Sequence, residues 1–325
     1  MRKTLCRQRT PCLPWTHDPR SPAARAARHR ARPPRPPPRP AAPPRPPRRR
    51  RRPRALLDLE AEVLGGWLPG AVDLVAAHLP GAGTVVDLGA GTGTGALALA
   101  RRLPRATVVA VDRSPAMLAH LRTAAAAAGV ADRVRTLEAD LDAGWPLTGR
   151  VDAVWAASSL HHLADADRVL REAHAALRPG GVAVVVELDE QVRLLTDALA
   201  PGLASRLAQA ASTWNVHPDW GPHLERAGFE LLDVRHVATE AVDARFGRAW
   251  LALLRSTLAD RLAPADVTTL DRLLAQHPAT LDALPVRAER TVWLARRPHA
   301  GPAPAARATP PTPPTSPTTH DGGAR

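Results

Sequence analysis

The chain has 325 residues and a formal net charge of +13, but the charge and the 35 prolines are unevenly spread. Residues 1–54 hold 15 prolines and 18 Lys+Arg against one acid, Asp18, and residues 300–325 hold 7 prolines with Arg307, Arg325 and Asp321. Residues 55–299 keep 24 basic and 29 acidic side chains, a net −5, so the overall basicity is no argument that a folded body binds nucleic acid.

The composition predicts three segments. A disordered Pro/Arg-rich arm spans 1–54, one domain spans 55–299, and a disordered Pro/Thr/Ala tail spans 300–325. Such an arm buries too little apolar surface to offset its ordering entropy, and its prolines favour polyproline II. Two readings of the arm stand side by side: an arginine arm that grips phosphates, or upstream GC-rich DNA read as protein. The body contains no Tyr, and the chain has one Lys and one Asn, as a high-GC genome would give. No run approaches the roughly 18 apolar residues of a membrane-spanning helix. The N-terminus has no apolar signal core, and its prolines would break the helix of a transit peptide. The expected location is therefore the cytoplasm. Cys6 and Cys12 both lie in the arm, so the body has neither a cysteine nucleophile nor a thiolate metal site.

From residue 84 onward strand and helix patterns alternate, which predicts an α/β fold with a mostly parallel sheet covered on both faces. Thr84–Leu88 (TVVDL) is a short apolar strand. Thr94–Leu103 is a helix stopped by Pro104. Thr107–Val111 is a second strand ending at Asp112. Ser114 caps the next helix, Pro115 takes its first position, and Gly129 ends it. Arg133–Ala139 and Val151–Ala157 are strands three and four. Leu163, Ala166, Leu170, Ala173 and Leu177 share one helical face. Pro179-Gly180-Gly181 is expected to end that helix, before the most apolar strand, Val182–Leu188. Beyond it, residues 191–213, 246–262 and 264–276 read as helices, and Phe229–Ala238 and Glu289–Arg297 as strands. The whole predicts a doubly wound, mostly parallel seven-stranded sheet with helical lid insertions.

The stretch VVDLGAGTGTG (85–95) carries the most information. Glycines let a backbone turn sharply and approach a ligand, and a helix N-terminus offers unbonded N–H groups. Two ligand classes use such a loop. Gly91, Gly93 and Ala96 satisfy the dinucleotide form GxGxxA. Asp87, Gly89, Gly91 and Gly93 satisfy the form DxGxGxG of methyl-donor folds. Gly89 follows the strand immediately, which favours the second form. An acid at 87 would repel a pyrophosphate and attract a sulfonium cation. Asp112 and Asp140 end the next two strands, so three acids share the carboxyl edge of the sheet, where doubly wound folds bind ligands. A carboxylate at Asp112 can accept from both ribose hydroxyls.

With VDRSPAML (111–118), EADLD (138–142), VDAVWAASSLHHL (151–163) and LRPGGVAVVVE (177–187), residues from about 60 to 190 resemble the class I S-adenosylmethionine-dependent methyltransferases of the small-molecule, ubiquinone/menaquinone-biosynthesis-like type. The resemblance implies a Rossmann-like methyltransferase fold and S-adenosyl-L-methionine as methyl donor. It implies that Asp87, Gly89, Ala90, Gly91 and Gly93 line the methionine part of the donor and that Asp112, next to Arg113, holds the ribose. Met117, Asp140 and Leu141 would lie at the adenine, and Ser158 beside the donor. The catalytic residue stays open. His161, His162 and His217 are candidate bases, although Leu-His-His at this place is often scaffold in the family. Trp214, His217, Trp220 and His223 would line an acceptor pocket or pack a lid.

The expected reaction is in-line methyl transfer to a small organic acceptor. The loop Ala157-Ser158-Ser159-Leu160 lacks the Asn/Asp-Pro-Pro-aromatic motif of amino-methylating nucleic-acid enzymes, and cytosine C5 methylation needs a cysteine the body lacks. No metal site is expected. Three alternatives remain: an RNA or protein methyltransferase that uses the basic arm for affinity, with nucleic acid reached only through residues 1–54, an NAD(P)-binding oxidoreductase, and a catalytically silent donor-binding protein.

Overall fold

Short apolar strands separated by helices bury both faces of a sheet, and the chain folds accordingly. The computed structural model describes residues 54–79, 81, 83–194, 200–212, 218–276 and 285–299. The arm up to residue 53 and the tail from residue 300 lie outside the described residues.

The described chain begins with two helices, α1 (Arg54–Leu64) and α2 (Leu68–His78), joined by a 3-10 turn over Gly65–Trp67. The alternating region follows: β1 (Thr84–Leu88), α3 (Thr94–Arg102), β2 (Thr107–Asp112), α4 (Pro115–Ala127), β3 (Val134–Glu138), β4 (Val151–Ala157), α5 (Ala166–Ala176) and β5 (Leu177–Leu188). The remainder is β6 (Arg193–Leu194), α6 (Leu203–Ala211), α7 (Gly221–Arg226), β7 (Glu230–Val242), α8 (Ala244–Thr257), α9 (Pro264–Ala275) and β8 (Pro285–Arg296).

Strands β3, β2, β1, β4 and β5 are neighbours in that order and parallel. β8 runs antiparallel between β5 and β7. The two-residue β6 pairs with the start of β8, on the edge that β5 occupies further along. The sheet is therefore seven strands wide, as expected, with a short eighth strand prolonging one row.

One face of the sheet, with Val85, Ala110, Trp155, Val184 and Leu294, is buried under α2, α3 and α4. The other, with Val86, Val154, Val185 and Trp293, is buried under α5 and α7. A third core joins α1, α6, α8 and α9 around Val286 and Ala288 of β8. The inserted helices thus pack on the far part of β8. Arg290 of β8 reaches back to α1 and the 3-10 turn. Its Nη2 donates to Glu60 Oε1 (2.8 Å), both side chains are buried, and its guanidinium lies 5.6 Å from the Trp67 ring centre.

Local chemistry explains several boundaries. Ser114 Oγ accepts from Met117 N, and Asp165 and Asp243 cap α5 and α8 in the same way. Three expectations need correction. Pro179-Gly180-Gly181 does not precede β5 but lies inside it. Gly180 N donates to Arg297 O (2.9 Å) and Arg297 N to Gly181 O (2.8 Å), so the end of β8 supplies the partners that keep this turn in the sheet. The pairing with β4 slips there, between Val151 and Ala153. Residues 191–213 are not one helix, because β8 captures Arg193 and Leu194 as a strand and only Leu203–Ala211 is helical among the described residues. Helices α1 and α2 stand where no element was read from sequence. Their apolar positions, such as Ala71, Val72 and Val75, acquire a partner only once α3 is in place.

Gly93 shows how tightly the first turn is packed. Its φ is +96°, and a β-carbon there would fall 2.5 Å from Leu121 Cγ on α4. Gly93→Ala is expected to cost about 2–5 kcal/mol from backbone strain and overpacking, read as a lower midpoint in urea unfolding at unchanged slope.

Candidate functional site

Gly89, Asp112, Asp140 and Ser158 stand at the ends of four neighbouring parallel strands, so the topology gathers them on one edge. The loop after β1 is held by the end of β2. Gly89 N and Ala90 N donate to Val111 O (2.8 and 2.9 Å). Asp112 Oδ2 accepts from Gly91 N (3.0 Å) and Oδ1 from Ser114 N (2.8 Å). Asp112 therefore fixes the crest of the glycine loop and the entry to α4 together. Gly89 is required by contact as well as by its φ of +72°, since a β-carbon there would lie 2.6 Å from Ser159 Cβ. The glycine loop and the loop after β4 touch at this point. At Gly91 a β-carbon would meet nothing closer than Gly89 O at 4.0 Å, so the crest of the loop faces open space.

Asp87 lies directly below, at 2% exposure. Its carboxylate takes a hydrogen bond from the backbone of Ala96, in the first turn of α3, and Oδ2 has no partner. Burial pushes this carboxyl up to about 7, opposed by the Ala96 bond and reinforced by the negative charge of Asp112.

The loop after β4 has its own anchor, which sequence reading missed. Glu187, fully buried near the end of β5, accepts from Ser159 N and Leu160 N on Oε1 (2.9 Å each), and His161 Nδ1 lies 2.6 Å from its Oε2. The signal was present in the sequence as an acid within VAVVVEL, the most apolar strand. Ser158 has φ +51°, a rare left-handed value for a residue with a side chain, and its N–H donates to Val186 O. The strained backbone thus lies at the carboxyl end of β4, on the edge that carries Gly89, Asp112 and Asp140.

The other candidates fall as follows. Asp140 Oδ1 accepts from Asp142 N (3.1 Å) and so caps the 3-10 turn Leu141–Ala143, in which Leu141 is buried. Asp142 in turn accepts from Ala164 N (2.9 Å), tying this turn to the loop after β4. Met117 is buried in the first turn of α4, and Arg113 is exposed. His161 is committed to Glu187, while His162 is exposed with its ring centre 4.0 Å from that of His161. Trp220 is a core residue, and His223 Nδ1 sits 2.6 Å from Asp167 Oδ1. Trp214 and His217 lie outside the described residues. Further along the sheet, a cavity of about 520 Å³ is bordered by Asp189, Asp219, Glu225, His236, Thr291 and Trp293.

Known proteins resemble this chain over the region that holds this edge. A family model described as a methyltransferase domain matches residues 85–181. The demethylmenaquinone methyltransferase of Thermus thermophilus is 42% identical over 121 residues, which is 37% of this chain and 53% of that protein. The trans-aconitate 2-methyltransferase of an Azoarcus species is 39% identical over 145 residues, 43% of this chain and 54% of that protein. The chain thus spans about half the length of the curated relatives it matches. A solved candidate methyltransferase from Bacillus halodurans, 20% identical, covers 71% of this chain and 98% of its own with a TM-score of 0.50, a likeness of fold. Residues 85–181 are thus similar to a methyltransferase domain, and both of these curated relatives are methyltransferases.

The buried acid makes a testable link to stability. Its folded value is above the ordinary 3.8, so the folded state retains a proton that the unfolded state loses. That contribution is fully present below about pH 4 and is lost as pH rises through about 7. Asp87→Asn keeps an acceptor for the Ala96 N–H and cannot ionise. The variant should gain stability over the wild type by about 1.4 kcal/mol per pH unit between roughly pH 4 and 7, then level off, in urea unfolding without ligand.

Proposed function

We propose that this protein transfers a methyl group from S-adenosyl-L-methionine to a small organic acceptor. The observation that carries the reading is Asp87: a buried carboxylate with a vacant oxygen under a glycine crest that opens to the carboxyl edge. A cationic sulfonium amino acid suits that acid, and a pyrophosphate does not. The bound donor supplies a methyl carbon already activated by its positive sulfur.

The chain's own residues then bind and align. Gly89, Ala90, Gly91 and Gly93 give the donor's amino-acid part access to the backbone, with Asp87 beneath it as counter-charge. Asp112, with Arg113 beside it, holds the ribose. Met117, Asp140 and Leu141 border the adenine. Ser158, on the strained loop, would lie beside the donor, and Glu187 keeps that loop in register by holding two of its N–H groups. Alignment of two bound partners lowers a displacement barrier by roughly 7–11 kcal/mol, so no base is needed unless the acceptor must lose a proton. The commitment of His161 to Glu187 supports a scaffold role for that histidine.

The acceptor is a small molecule in this reading. The two relatives are named for demethylmenaquinone and trans-aconitate, which are unlike molecules, and each match covers only about half of the relative. The negative body disfavours a polyanionic acceptor. Calorimetry of the full chain should show binding of S-adenosylhomocysteine and none of NAD; NAD binding alone would replace this reading with the oxidoreductase one. Asp112→Ala is expected to weaken S-adenosylhomocysteine binding by about 1.5–3 kcal/mol, the range for hydrogen bonds to a charged group. His162→Ala should keep most of the methyl transfer to a metabolite extract, followed by mass; a loss beyond about 10³-fold would make it the base.

A further inference from the structure

Asp87 and Trp155 are direct partners across the β1–β4 ladder, so their side chains stand side by side on the face covered by α3. Trp155 is fully buried, and its indole Nε1 has no hydrogen-bond partner. Asp87 Oδ2, also buried, has none either. One is a donor and the other an acceptor. A β-carbon on Gly95, in the first turn of α3, would fall 2.4 Å from Trp155 Nε1 and 3.2 Å from Asp87 Oδ2. The two orphaned atoms therefore border the same small space, and only the missing side chain of Gly95 leaves it open. Leaving complementary polar groups unjoined in a core is destabilising, because each has lost its water without gaining a partner.

We propose that Trp155 is a positioning residue for the methyl donor: its indole N–H is the second hydrogen-bond partner of Asp87, taken up when the carboxylate is ionised opposite the bound cation. The inference rests on the donor-site reading above. A neutral acid with the Ala96 bond needs little more, whereas a buried carboxylate needs further donors. The surroundings offer few. Across the ladder Asp87 faces Ala110 on β2 and Trp155 on β4. Above it lie Gly95 and Ala96 of α3, and the buried cluster on this face takes Val72 and Val75 from α2 and Leu121 from α4. The charge that acts on it is the Asp112 carboxylate, which is unfavourable. The ring of Trp155 is itself held by stacking on Trp67, with centres 6.2 Å apart and planes at 17°. Phenylalanine at 155 would keep that stacking and remove only the N–H.

The test uses the full chain without ligand, with S-adenosyl-L-methionine, whose sulfonium is the cation facing Asp87, and with S-adenosylhomocysteine, which lacks that charge. The probes are the dissociation constant from calorimetry between pH 5.5 and 9 and, without ligand, the pH at which the melting temperature breaks. Trp155→Phe is expected to move both profiles upward by at least half a pH unit and to weaken binding at pH 8 by threefold or more. In an Asp87→Asn background the same change at 155 should have no further effect on either profile. Gly95→Ala, whose backbone is ordinary helix, should shift the profiles in the same direction by wedging the pair apart, and it serves if Trp155→Phe does not fold. Profiles of either folded variant that superimpose on the wild type, while Asp87→Asn flattens them, would overturn the role of Trp155 and leave the donor site standing. A wild-type chain that fails to bind S-adenosylhomocysteine, or an Asp87→Asn variant with unchanged profiles, would overturn the donor-site reading itself and the proposal with it.

Discussion

A carboxylate in the middle of a parallel sheet has no water to solvate it, and its field falls off slowly among apolar side chains. Asp87 is in that position, and its surroundings are arranged around the problem. The first turn of α3 turns a backbone N–H of Ala96 onto it. Gly95, in the first turn of α3, keeps a Cβ atom out of the space beside it. What remains is a half-satisfied acid with an open crest over it, a site that gains from a cation and resists an anion.

The sheet buries a second acid, Glu187, on its opposite face, and the contrast explains the division of labour. Glu187 holds two backbone N–H groups and a histidine, so it is satisfied within the protein and fixes a loop. Asp87 holds one backbone N–H and leaves an oxygen without a partner. On the function proposed above, the satisfied buried charge is scaffold and the unsatisfied one faces the ligand. The two loops these acids control meet where Gly89 presses on Ser159, so the shape of one is transmitted to the other by contact.

Much of this was legible along the chain. TVVDL and VDAVWAA are strands with the expected ends, because short β-branched runs bounded by glycine or a cap have no other use. Ser114-Pro115 starts a helix as its local chemistry requires. Pro179-Gly180-Gly181 misled because its partners come from Arg297, more than a hundred residues away. Arg193 and Leu194 became strand for the same reason, through β8. The anchor role of Glu187 and the pairing of Trp155 with Asp87 depend on strands that meet only in the sheet.

The sequence by itself determined the parallel α/β architecture, the glycine loop and the acids at three successive strand ends, since periodicity, turn chemistry and spacing are local properties. It also separated a mildly acidic body from a strongly basic arm, since charge is counted and not folded. Only the tertiary structure decided which acids are buried, which hydrogen bonds they are given and which oxygen is left without a partner. Desolvation and cross-strand register belong to no single segment, and they arise when β1, β4 and β5 lie side by side.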